Sequence, residues 1–426
     1  MKLVQQLRSF DRTVQLLLIN QFTISLGFYM LMPYLAQHLS STLGIAAWAV
    51  GLILGVRNFS QQGMFLFGGT LADRVGYKPM IMAGLTLRTV GFAALGFVHS
   101  LPALLAASAL IGLAGALFNP AVRAYLALET GERRVEGFAL FNVFFQGGIL
   151  LGPLAGIALT GISFQLTCTV SACAFAVLTA IQLRALPART APADTERRES
   201  VLSQWRTVVK NRPFLLFSVV MIGSQALSFQ IYLAVPLELR RIAGEGLAGT
   251  IGVGLVFALS GLTTVIWQTR LTAWCKQTLG SARSLILGLA CMAFGFIPPL
   301  AASIAVTPSQ ESRHWVLATV PILLSALLLN LGTMLAYPFE MDIIVTLADN
   351  RYVATHYGLY NTLCGIGIAA GNLMTGAILD TAHATGTPEL AWATLSAVGC
   401  VSTIAIAFLH HSGLLTPPTQ RLTVSN

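Results

Sequence analysis

The sequence predicts an all-α membrane protein, with twelve transmembrane helices in two pseudo-symmetric six-helix bundles. Three observations lead to that class. Of the 426 residues, 55% are hydrophobic and only 10% charged, and the mean hydropathy of +0.74 lies far outside the usage of soluble domains. Cutting the chain at its charged and Pro/Gly-rich breaks leaves twelve apolar runs, each close to the roughly 20 residues that a membrane-spanning helix needs. One connection between runs is long and polar, and matched residues recur on either side of it.

In order, the runs cover residues 15–39, 46–71, 79–98, 102–126, 138–161, 164–183, 213–239, 247–274, 284–302, 315–339, 353–379 and 390–409. The first follows the basic stretch MKLVQQLRSFDR. It lacks a small-x-small cleavage site, so it reads as a span and not as a removable leader. Most connections are short. The exception, residues 187–212, contains ARTAPADTERRES and reads as a linker between an N-terminal bundle at 1–186 and a C-terminal bundle at 213–426. Within it, residues 201–210 have the pattern of an amphipathic surface helix.

The formal charge of +9 raises a nucleic-acid reading, and the placement of the 25 Lys and Arg decides against it. With the N-terminus inside, 19 fall in cytoplasmic segments, three outside (Arg240, Arg241, Arg313) and three within spans (Arg57, Arg88, Arg123). That is the positive-inside bias, with both termini cytoplasmic, and not a phosphate-binding patch. The six Cys lie in or at the ends of apolar runs without metal-ligand spacing. No disulfide, metal or other cofactor is expected.

Residues 69–79, GTLADRVGYKP, turn the chain at the membrane surface between the second and third runs. Gly69 and Gly76 suit a turn or a close approach of helix ends, and Asp73, Arg74 and Lys78 put charge where water resumes. Gly-x-Leu-Ala-Asp-Arg-x-Gly-x-Lys, here Gly69, Leu71, Ala72, Asp73, Arg74, Gly76 and Lys78, resembles the loop signature between spans 2 and 3 of the major facilitator superfamily. It departs at Tyr77, where a basic residue is usual. The resemblance implies that Asp73 leans on a neighbouring helix of the other half and holds the cytoplasmic side shut. An anion at a helix N-terminus gains roughly 0.3 to 1 kcal/mol from the dipole, so the latch would be breakable. Glu129, Arg133 and Arg134 are expected to complete the charge cluster around Asp73, Arg74 and Lys78.

A duplicated chain should show matched positions. Asn119-Pro120 matches Tyr337-Pro338 at an offset of 218, and Phe141-Asn142, Gly148 and Gly152 match Tyr360-Asn361, Gly367 and Gly371 at 219. Earlier in the halves, Pro33 pairs with Pro236 and Gly76 with Gly280 at offsets of 203 and 204, the difference being absorbed around residues 307–313. Two homologous bundles with a ligand site near the midplane is the architecture this implies.

Span 5 carries Gly148, Gly152 and Gly156 at spacings of four, with Pro153 among them. The glycines form one stripe that admits another helix to backbone contact, and Pro153 bends the helix. The pattern is similar to the span-5 antiporter signature of exporters in the superfamily, with Ile157 where a second Gly is usual. Asn142 and Gln146 share a neighbouring face. Span 7 offers Gln225, Phe229, Tyr232 and Pro236 on one face, span 1 offers Asn20 and Gly27, and span 11 offers Asn361. Each of these polar residues suits a substrate cavity or interhelical bonding equally well.

Buried charge is the sharper signal. Arg57 lies about nine residues into span 2 and Arg88 about ten into span 3, which at 1.5 Å per residue sets both near the midplane. A charge there must be paired or face water, and it marks function by default. No acidic residue is expected at comparable depth: Glu129, Glu340 and Asp342 stand near cytoplasmic ends, and Glu238 and Asp380 near external ends. A cavity so lined favours anionic or zwitterionic substrates; the other reading of both arginines is structural, bonded to backbone carbonyls and to Asn or Gln neighbours. The candidates for proton coupling are Glu340 and Asp342 at the mouth of span 10, with Arg123 at the equivalent place in span 4; a gate ion pair is the other reading of these three. The Arg that the superfamily often has in span 4 is here Ser108.

Over residues 50–92, including Arg57, Gln61, Gln62 and Arg88, the chain resembles MdtH-type multidrug efflux proteins of the twelve-span drug:proton antiporter group. The resemblance implies a non-enzymatic secondary transporter exporting a small organic compound against protons, functional as a monomer in the cytoplasmic membrane. A dedicated exporter of an endogenous metabolite such as a siderophore is the alternative. A receptor or membrane enzyme is disfavoured, because no nucleotide loop, metal cluster or paired nucleophile and base is present in the loops.

Overall fold

The structure is a computed structural model that describes residues 2–188, 200–243, 247–305 and 315–415. The densest part of the expected linker, 189–199, and the expected external Arg313 lie outside the described residues. Helices labelled α1 to α12 carry the twelve apolar runs. They are α1 Arg12–Gln37, α2 Ala47–Val75, α3 Tyr77–Phe97, α4 Leu101–Thr130, α5 Arg134–Thr160 and α6 Phe164–Ala185. There follow α7 Arg212–Ser228, continued by Phe229–Tyr232 and Ala234–Ala243, α8 Leu247–Thr278, and α9 Gly280–Phe294, continued by Ile297–Ala305. The last three are α10 Trp315–Ala348, α11 Val353–Thr385 and α12 Glu389–His411.

Among the described residues, ten stretches are long and apolar enough to cross a membrane. One of them, Leu101–Thr160, contains both α4 and α5. Ala47–Val75 is absent from the ten because Arg57, Asn58, Gln61, Gln62, Asp73 and Arg74 dilute its hydropathy. Short helices at Lys2–Arg8 and Val201–Lys210 flank the first six.

Two compact units are present. The first runs to Asn211 and also takes in Ile344–Thr362, the end of α10 and the start of α11; the second holds Arg212–Ile343 and the chain from Leu363 on. In the first unit α1 packs along α5, and α3 and α2 pack along α4. These contacts reach backbone distance because glycines stand where a side chain would not fit. A Cβ on Gly68 would overlap the carbonyl of Ala116, and one on Gly112 the carbonyl of Arg57. The second unit repeats the device. Gly367 and Gly371 of α11 sit on Ile222 and Ala226 of α7, as Gly148 and Gly152 of α5 sit on α1.

Three expectations about the helices are corrected. The eleven-residue loop at 69–79 is a single-residue turn: α2 runs to Val75, α3 begins at Tyr77, and Gly76 alone separates them at φ 106°. A side chain would be strained there, and Gly280, its match in the other half, also has a positive φ of 75°. Span 7 is not one continuous helix. It breaks into a 3-10 turn at Phe229–Tyr232, because Pro236 has no N–H for the carbonyl of Tyr232, and its ring crowds that carbonyl. Span 10 does not end at residue 339. The helix continues to Ala348, which moves Glu340 from the mouth to more than two turns inside.

Candidate functional site

The end of α2 presents Gly69, Asp73 and Arg74 on one side. Gly69 does not make the turn. It allows α2 to touch the start of α11, where a Cβ would overlap the carbonyl of Ala354, and Gly358 makes the reciprocal contact on Phe65. At this contact the carboxylate of Asp73 meets the first turn of α11. The Ala354 N–H donates to Oδ1 at 3.1 Å, and the N–H and Oγ1 of Thr355 donate to Oδ2 at 2.7 and 2.6 Å. The first N–H groups of a helix have no partner within it, and their partial positive charge suits a carboxylate. Tyr77, standing where the superfamily has a basic residue, turns its hydroxyl to Oδ1 at 3.5 Å. Asp73 stands beyond the apolar run that ends at residue 71. Burial pushes its carboxyl up to about 6, against the bonds from Thr355, Ala354 and Tyr77 that pull it down.

The helix Val201–Lys210 closes a ring around this carboxylate. Gln204, buried, donates from Nε2 to the Thr355 hydroxyl at 2.6 Å and accepts from Arg74 Nε at 3.1 Å. One helical turn of α2 earlier, Thr70 accepts from the indole of Trp205 at 2.8 Å, and Phe67 stacks edge-on with the same ring at 5.0 Å. Asn211 donates to the carbonyl of Leu347 at the end of α10 at 2.8 Å. The linker helix is therefore tied to α2, α10 and α11 together. Lys78 bonds the carbonyl of Leu183 at 2.8 Å. Glu129 is half-buried at the end of α4. Arg133 does not join the cluster around Asp73: it pairs with Glu136 at 2.9 Å, bonds Ser9 and lies over the ring of Phe10.

The stripe Gly148, Gly152 and Gly156 runs along α1, each glycine touching its backbone between Phe22 and Met30, and the carbonyl of Pro153 accepts from Tyr34 at 2.8 Å. Arg57 is half-buried, bonded to Asn58 and lying over Phe28. Arg88 is buried over Phe118. Gln61 lies against Gly115 of α4. Asn20 and Asn142 are buried and Gln146 half-buried. Asn361, expected in a cavity, accepts from Arg123 at 2.8 Å and donates to the Tyr357 carbonyl at 2.6 Å. In the second unit Glu340 is buried and accepts from Gln225 at 2.7 Å, while Asp342 is half-buried. Phe229 packs on Tyr232, which stacks on Phe257.

The family model described as Major Facilitator Superfamily matches residues 17–372. The chain belongs to that superfamily. An uncharacterized MFS-type transporter of Mycobacterium tuberculosis is 48% identical over 98% of this chain and 97% of its own length. A multidrug resistance protein, MdtH, of Cronobacter sakazakii is 29% identical over 94% of each chain. Among solved structures, the human organic anion transporter MFSD10 (TETRAN) superposes with a TM-score of 0.69 at 16% identity, over 93% of this chain and 99% of that one. The likeness to MFSD10 concerns the fold alone.

Four residues of the ring in this facilitator, Thr355, Gln204, Trp205 and Asn211, were not singled out in the sequence. Only Gln204 leaves a trace there, as an amide one turn before Val208 on the face that the amphipathic helix buries. The others gain their roles from contacts more than a hundred residues away in the chain.

Proposed function

We propose that this facilitator is a secondary active transporter that exports small organic compounds, drugs or amphiphilic metabolites, across the cytoplasmic membrane by alternating access in antiport with protons. It works as a monomer with both termini in the cytoplasm. The observation that carries the reading is the Asp73 carboxylate on the open N–H groups of α11. A carboxylate held by a few hydrogen bonds can be released and recaptured within a cycle. The bias of Lys and Arg, the glycine stripe of α5 and the multidrug resistance name of the MdtH relative support export.

In the first unit the substrate is met by Arg57, Gln61, Arg88, Asn142 and Gln146. Coupling is assigned to Glu340, assisted by Asp342. A carboxylate buried against Gln225 in one conformation and solvated in another takes up and releases a proton as the conformation changes.

The test is reconstitution in vesicles with an imposed pH gradient and a panel of acidic, zwitterionic and cationic compounds. Wild type should accumulate one class against its gradient. Glu340→Gln should lose that accumulation yet keep exchange of labelled for unlabelled substrate. No gradient-driven accumulation of any compound refutes antiport, and full accumulation by Glu340→Gln refutes the coupling role. A dedicated exporter of an endogenous metabolite such as a siderophore is the second reading, favoured by the two arginines in spans 2 and 3.

A further inference from the structure

Arg88 is a buried cation that no carboxylate among the described residues neutralises. Only 6% of the residue is exposed. It stands on α3 between Gly84 and Gly91, the two positions at which α3 meets Ala114 and Ile111 of α4 at close contact. Its guanidinium carbon lies 5.9 Å from the centroid of Phe118. Nε is buried with no hydrogen-bond partner, and among the described residues no carboxylate pairs with the side chain.

A second cation stands nearby. Arg57 holds its guanidinium carbon 5.0 Å from the centroid of Phe28, and Phe28 packs at 6.5 Å against Phe92, one turn beyond Arg88. Each arginine thus lies over an aromatic ring, Arg57 over Phe28 and Arg88 over Phe118, and the two are close enough for the charge of Arg57 to act on Arg88. Arginine does not shed its proton at any accessible pH. A ring face is weak compensation for a charge in a dry interior, and an unpaired buried ion is strongly destabilising.

We propose that Arg88 and Arg57 form an anion-binding site within the first unit, taking the carboxylate or sulfonate of an organic compound or a small inorganic anion. Anion binding stands on the geometry alone; that the anion is transported cargo rests on the function proposed above. Arg57, the less buried of the two, is where an incoming anion first meets charge.

The full chain, purified in detergent micelles in a zwitterionic buffer, tests this through its thermal unfolding midpoint. The probes are benzoate, benzenesulfonate and chloride, with benzamide as the neutral isostere. Wild type should gain roughly 3 °C at an anion concentration a hundredfold above its Kd, and nothing from benzamide. Arg88→Met, which removes the uncompensated charge, should be at least as stable as wild type without anion and should lose the anion response; Arg88→Lys should keep part of it.

A response to benzoate alone supports an organic ligand, and an equal response to chloride supports a resident inorganic anion. An equal response to benzamide overturns the proposal. So does an Arg88→Met that still responds, or one that is destabilised equally with and without anion. Should Arg88→Met fail to fold, Arg57→Met decides by the same criterion. Binding without transport in vesicles leaves this site standing and removes the transport reading; transport without an anion response does the reverse.

Discussion

Thr355→Val is the most informative single change at the end of α2. The hydroxyl of Thr355 is buried, donates to Asp73 at 2.6 Å and accepts from Gln204 at 2.6 Å. Valine keeps the shape and both backbone N–H bonds, and removes only these two. The first is a hydrogen bond to a charged group, worth about 1.5 to 3 kcal/mol, and losing the second strands a buried amide donor at a cost of about 1 to 3 kcal/mol. In the opened form water satisfies both groups. The closed form therefore loses roughly 3 kcal/mol, about a hundredfold in the ratio of closed to open. The amides of residues 354 and 355 bond only Asp73, so their hydrogen exchange reads the opening directly. Exchange in a peptide spanning 353–357 should speed up about a hundredfold, while one spanning 149–156, in the α1 to α5 contact, should be unchanged. A change of less than threefold at 354 and 355 refutes the reasoning that the hydroxyl bridges and holds this contact.

Other outcomes follow from the same geometry. Gln204→Leu severs the bridge between Arg74 and Thr355 while leaving Asp73 all its donors, so exchange at 354 and 355 should rise by only about tenfold; no rise would show that the linker helix merely lies alongside. Because burial raises the Asp73 carboxyl to about 6 and an open carboxyl titrates near 3.9, the closed form binds a proton more tightly. Closure should strengthen as pH falls through about 6 and level off below about 4, with opening, corrected for intrinsic exchange, slowing roughly tenfold between pH 7.5 and 5; a flat or opposite trend would mean that the hydrogen bonds outweigh burial. Gly148→Leu drives a side chain into the backbone at Leu26 and Phe22 and should cost roughly 3 kcal/mol in thermal or denaturant unfolding. Gly376→Leu, with nothing within 4 Å, should be near neutral, and equal effects of the two would refute the close-packing role of the stripe.

The legible features were those that a span carries within itself. Twenty apolar residues between polar breaks can be counted, a glycine every fourth residue forms a stripe on any helix, and the matched glycines at an offset of 219 reappear as matched contacts of α5 on α1 and α11 on α7. Helix ends were less legible. Past residue 71 the chain turns polar yet stays helical to Val75, since charge ends a membrane span without ending a helix. For the same reason α10 runs on to Ala348 and carries Glu340 inside it. The break in α7 was readable from Pro236, whose effect falls four residues upstream of itself.

The sequence by itself determined the twelve spans, their pairing into related halves and the place of the Asp73 signature. Each of those depends on hydrophobicity and spacing along one stretch of chain. Only the tertiary structure decided what Asp73 touches, that a helix of the linker supplies Gln204 to the same ring, and that Arg123 bonds Asn361 rather than a carboxylate. Hydrogen bonds depend on distances of a few tenths of an ångström between groups that here stand as far as 300 residues apart, and the positions of those groups follow from the packing of whole helices.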